Sequence, residues 1–252
     1  MCDNAQMAQH ERMQNRVYGV KRHAMGAMQT LLNTVITDQI RDRPARPPDY
    51  AAENRALRLL AEELAKPTGN VLTRLCDLAL ELCHAHSAGI SILEFEGAEK
   101  KFRWHAIAGR WASYVGGGMP RNDSPCGVVI DLNATQLMYR PLQAFPLLAQ
   151  AEPELVEALL APFRVLGEPV GTVWVLSHDD TQKFDGEDVR LVESLASFAA
   201  AAYTIRDNLG RAMELHEELS RTNARLNRTI ERMSHPPGDK AVVENQEGVV
   251  SG

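Results

Sequence analysis

Cys126 stands in the stretch Ser-Pro-Cys-Gly at 124–127, between turn-forming neighbours. A thiol held near a helix start in such a loop has a lowered pKa and can answer to redox change or to a bound ligand. Packed inward, the same residue is a small apolar filler. The sequence leaves both roles open. Cys76 and Cys83 lie two helical turns apart within an apolar stripe and read as core. Cys83, His84 and His86 could supply one pair of zinc ligands at most, because side chains two apart on a helix diverge. No second pair accompanies them, so no metal site is expected. The glycines at 116–118 lack the Lys-Ser/Thr of a phosphate loop and read as backbone freedom. Nothing in the spacing of His105, His178, Asp179 and Asp180 compels a catalytic set, and 178–180 reads as a solvated loop. No catalytic residue is assigned, and the chain is not expected to be an enzyme.

The aromatic residues are few, so their places are informative. Trp104 falls on a strand, Trp111 and Tyr114 open a long irregular stretch at 110–157, and Tyr139 and Phe145 lie further within it. As walls of a small-molecule pocket they would be joined by Arg121, Ser124 and Asp131 to orient a ligand. As plain core they would simply fill the space between that stretch and a sheet. Both readings stand. The sequence names no cofactor.

The elements that must position these residues follow from periodicity. Helical spacing runs through 52–65 and again through Val71, Leu75, Leu78, Leu82 and Ala85. AGISILEFEG and KFRWHAIAG read as two strands around a turn at Gly97 and Ala98. Alternation in the second puts Phe102, Trp104, Ala106 and Ala108 on one face. ALLAPFRVLGEPVGTVWVLSHD gives two more strands, and FDGED starts a long helix with Asp185 as N-cap and Asp188 as its capping-box partner. The expected division is an amphipathic helix in 1–40, carrying Val17, Val20, Ala24, Met28, Leu31 and Val35. A Pro/Arg linker at 41–50, a domain at 51–206, a coiled-coil helix at 207–233 and a flexible tail at 234–252 follow.

Within 207–233 a seam of alternating three- and four-residue steps joins Leu209, Ala212, His216, Leu219, Asn223, Leu226, Ile230 and Met233. A lone helix would expose that seam to water, so a partner helix is expected. Asn223 on the seam favours a parallel two-stranded register, in which the two amides pair. A homodimer is therefore expected.

Composition limits the function classes. Thirty-three acidic against 27 basic residues leave a net charge of −6, which disfavours a nucleic-acid partner. At 44% hydrophobic and 24% charged, the 252 residues have the mixture of a soluble globular protein. No apolar run approaches the roughly 20 residues that cross a bilayer, and MCDNAQMAQHERMQ lacks the core of a secretory signal. Four scattered cysteines do not make a disulfide framework. The expected setting is cytoplasmic, with no membrane partner.

The segments VLTRLCDLALELCHAHSAGISIL, MPRNDSPCGVVID, LLAPFRVLGEPVGTVWVLSHD and FDGEDVRLVESLASFAAAAY together resemble a GAF domain over about 53–206. The resemblance implies an α+β fold: a central antiparallel sheet, terminal helices on one face, and a pocket on the other under the irregular connection. PRNDSPCG is similar to the form found ahead of histidine-kinase modules. Lys183, Phe184 and Asp188 echo part of the family's cyclic-nucleotide signature, but Val189 replaces its final acid and no Asn precedes Lys183. Bilin-binding relatives attach chromophore to a Cys usually followed by His, whereas Gly127 follows Cys126. The family's methionine-sulfoxide reductases gather several cysteines in the pocket, whereas the irregular stretch here carries Cys126 alone. The expected function is a free-standing sensory protein that binds a small ligand or senses redox state under a lid. It would signal through its dimeric exit helix to a partner such as a histidine kinase or response regulator. The alternatives are a ligand-free dimerisation or docking platform and a redox enzyme using Cys126.

Overall fold

A computed structural model describes residues 28–66 and 69–234. Val17, Val20 and Ala24 of the expected N-terminal helix, and the expected tail from 235, lie outside the described residues. Residues 28–34 are helical. Helices α1 (Tyr50–Leu64) and α2 (Val71–Leu82) lead into strands β1 (Ser87–Glu96) and β2 (Glu99–Gly109). The connection that follows holds β3 (Gly118–Pro120), α3 (Pro125–Leu132) and β4 (Gln136–Tyr139). Strands β5 (Glu157–Val165) and β6 (Glu168–Ser177) and helix α4 (Gly186–Ser234) complete the chain. The six strands form one antiparallel sheet in the order β3-β2-β1-β6-β5-β4.

Both sheet faces are apolar, so both are covered. One packs against α1, α2 and the first turns of α4 through Leu60, Leu75, Ile90, Val173, Val175 and Leu195. The other packs against α3 and the irregular connection through Phe102, Ile107, Trp111, Val129, Leu160 and Trp174. This is the α+β arrangement that the resemblance implied. The expected alternation in β2 is corrected by a bulge. Ile90 pairs with Ala106 but Ser91 pairs with Trp104, so His105 is an extra residue and the side-chain phase inverts there. Phe102 and Trp104 consequently face the connection, whereas Ala106 and Ala108 join the helical side.

The Pro/Arg stretch contains no helix or strand over 43–49, yet it is bound down. Arg43 forks onto the buried Glu157 carboxylate at 2.9 and 2.8 Å and donates to the Phe184 carbonyl. Arg46 reaches Asp188 at 2.7 Å and the Leu82 carbonyl, at the C-terminus of α2, at 2.9 Å. The capping box forms as expected. Asp185 accepts from the Glu187 and Asp188 amides, and Asp188 accepts from the Asp185 amide.

The chain divides into two compact units, Met1–Thr204 and Ile205–Gly252, with α4 running through the boundary. In the second unit Leu209, Met213, Leu215, Leu219, Leu226 and Ile230 are all exposed. Among the described residues no helix is long and apolar enough to cross a membrane.

Candidate functional site

The face of β1 turned to the connection carries only Ser87, Gly89 and Ser91 at its buried end, leaving depth for large rings above it. Trp174 of β6 fills that depth over Gly89, so closely that a Cβ on Gly89 would meet the indole at 2.2 Å. Beside it the buried polar groups satisfy one another. Trp174 Nε1 donates to Ser91 Oγ at 2.9 Å, Thr172 Oγ1 donates to Cys126 Sγ at 3.1 Å, and the Cys126 thiol faces Ser91 Oγ at 3.5 Å. Burial pushes the Cys126 thiol above its usual pKa, although Ser91 and Thr172 pull the other way. At neutral pH it is therefore a protonated, packed thiol, and its place in the first turn of α3 does not activate it.

Trp111 is the hub of the rim. Its ring lies within 6.5 Å of those of Trp104, Tyr114, Trp174 and His178. Its backbone amide donates to Ser87 Oγ at 3.1 Å, and Nε1 donates to the Pro153 carbonyl at 2.9 Å. The neighbouring backbone is held as well: the Glu152 amide donates to Tyr114 Oη at 2.9 Å, and His178 Nδ1 lies 3.0 Å from the Glu154 carbonyl. A carbonyl only accepts, so His178 Nδ1 carries the proton. Nε2 then accepts from the Ser87 hydroxyl at 2.7 Å. His178 is thus buried, which corrects the expectation of a solvated loop. Burial chiefly, with His86 and Arg110 nearby, lowers its pKa, while the Glu154 carbonyl and Asp179 oppose the shift.

Between these rings and the connection lies a cavity of about 30 Å³ with apolar walls, room for one or two waters at most. Trp104, Trp111 and Trp174 form one side, and Leu148 and Leu155 of the connection line the other. Met119, Pro125, Cys126 and Ala158 complete its base and flanks.

Of the residues expected at a pocket, Trp104, Trp111 and Cys126 meet at this cavity. Tyr114 packs edge-on against Trp111, and Phe145 is buried in the same apolar cluster without lining the cavity. The polar candidates are employed elsewhere. Ser124 caps α3 by accepting from the Gly127 amide. Arg121 forks onto Asp131 and holds that carboxyl below the usual carboxylate range. Tyr139 bonds Asp180 at the surface. Sequence reasoning missed Trp174 and His178. The alternation of Thr172, Trp174 and Leu176 in β6 could have placed the tryptophan on the pocket face, but no local pattern marked the histidine. Among the described residues no group of three His, Cys, Asp or Glu side chains is placed to hold a metal ion.

The family model described as GAF domain matches residues 68–203. The GAF domain from a phosphoenolpyruvate-protein phosphotransferase of Coxiella burnetii superposes with a TM-score of 0.54 at 18% identity, covering 65% of this chain and 99% of that one. The corresponding domain from Acinetobacter gives 0.50 at 12% identity, covering 64% and 97%. A type II free methionine-R-sulfoxide reductase from Thermoplasma acidophilum gives 0.43 at 18%, covering 60% and 93%. No curated protein matches the chain. At these identities the likeness is one of fold.

Proposed function

This chain belongs to the GAF domain family, commonly a sensory or signalling module, and from that premise we propose that it is a cytoplasmic sensor whose apolar cavity takes a small ligand. The observation that carries this reading is the cavity itself: three tryptophans converge on it, and its walls are apolar. Small-ligand sites have that character. Leu148 and Leu155 of the connection line it. The segment 141–156 serves as a lid over the cavity, and its movement on binding is the signal. The exit helix of a homodimer carries it onward, with a histidine kinase or response regulator as the fitting class of partner.

Redox sensing and redox catalysis fit less well, because Cys126 is buried and its thiol is held protonated. A second reading, a platform that binds no ligand, is favoured by the small volume of the cavity. Purifying the chain from its own host and releasing bound small molecules for mass spectrometry separates the two. A stoichiometric compound supports the sensor. An empty protein whose cavity also refuses small apolar probes supports the platform.

A further inference from the structure

The lid segment is held through consecutive backbone groups. Trp111 Nε1 donates to the carbonyl of Pro153, His178 Nδ1 donates to that of Glu154, and Tyr114 Oη accepts the amide of Glu152. Leu155, next along the chain, is a wall of the cavity. A ligand that outgrows the cavity on its Leu155 side pushes that residue outward and so draws 152–154 off these rings. That leaves two N–H donors at an apolar rim without acceptors, at a cost of about 1–3 kcal/mol each. An occupant that brings oxygen acceptors of its own removes the penalty; a pure hydrocarbon does not.

The geometry points to a ligand with an apolar or aromatic body and a carboxylate end. The body fills the tryptophan-lined cavity, and the carboxylate oxygens take the Trp111 and His178 donors that the lid carbonyls now occupy. The lid backbone acts as an internal stand-in for that carboxylate. A carboxylate is preferred to a single carbonyl because it presents two acceptor oxygens, and charge-assisted bonds are about twice as strong as neutral ones. This assignment rests on the ligand-binding reading above and narrows it to one chemical class.

The test titrates the full chain with phenylacetate and with ethylbenzene while following the indole N–H signals of the three tryptophans by NMR. Phenylacetate should shift the Trp111 signal and bind about tenfold or more tightly than ethylbenzene. Trp111→Phe should lose about tenfold of the phenylacetate affinity, read from the Trp174 signal. Tyr114→Phe frees the lid without touching either donor, so it should bind phenylacetate a few times more tightly. Damage to the fold could not produce that gain. Equal binding of both probes, or full phenylacetate affinity in Trp111→Phe, would overturn the carboxylate class and leave the cavity as a ligand site. If neither probe moves any indole signal, the ligand-binding reading itself fails.

Discussion

At Gly89 a methyl group would fall 2.2 to 2.7 Å from atoms of the Trp174 indole, so even alanine must displace one of the three indole rings of the cavity. Gly89→Ala should cost about 3 kcal/mol, as overpacking of a tight core does, and should alter tryptophan emission; denaturant unfolding followed by fluorescence measures both. Cys126 is expected to resist iodoacetamide at pH 7.5 in the native protein and to react on unfolding, since only the thiolate attacks and burial suppresses it. Native labelling as fast as that of a free thiol would contradict this. His178 gives a pH dependence of definite sign. In the native protein its pKa lies below the ordinary value, so the folded state binds fewer protons than the unfolded one. This contribution leaves stability undiminished above about pH 6.5 and lowers it as pH falls below that value. Stability to denaturant should fall from pH 7.5 to 5.5, and His178→Asn, which has no titrating ring, should flatten the fall. Cys76 and Cys83 were legible as core from their stripe. His178 was not, because its burial comes from Trp111 and the 152–154 backbone, both remote in sequence.

Among the elements, strands β1, β2, β5 and β6, the capping box at Asp185 and the helical faces were legible from local spacing, whereas β3, α3 and β4 lie in the stretch read as irregular, where each is too short to show a period. Two further features were not legible. The bulge at His105 inverts the phase of β2, and period-two counting assumes no such insertion. The Pro/Arg stretch reads as an extended linker, and its anchoring was not legible because its partners, Glu157 and Asp188, lie more than a hundred residues away. Glu157 is fully buried, and Arg43 is its forked partner; Lys183 approaches only to 4.0 Å. Arg43→Ala should therefore cost about 3–5 kcal/mol by leaving a buried charge poorly paired. Pairing it with Glu157→Gln should recover a large part of the loss in thermal unfolding. A single variant as stable as the parent would show that the stretch is not anchored this way.

For the whole molecule, the seam residues of the second unit are exposed, and we attribute that face to pairing with a second copy. Removing everything after Arg206 should leave a folded domain with weakened self-association by analytical ultracentrifugation. Asn223→Leu should raise the melting temperature while loosening helix orientation, because a buried amide at a seam position trades stability for register. A truncated chain as tightly dimeric as the full one would remove the seam from the interface. On this reading the connection opens over an otherwise fixed sheet, and native-state amide exchange measures that opening. The amides of Leu148 and Ala151 are hydrogen-bonded within the lid and that of Glu152 to Tyr114 Oη, while those of Val173 and Val175 lie in the paired strand β6. The lid amides should exchange through openings about a hundredfold or more frequent than those exposing β6. Lid exchange as slow as that of β6, seen only when the whole domain unfolds, would show that the lid does not open apart from the sheet.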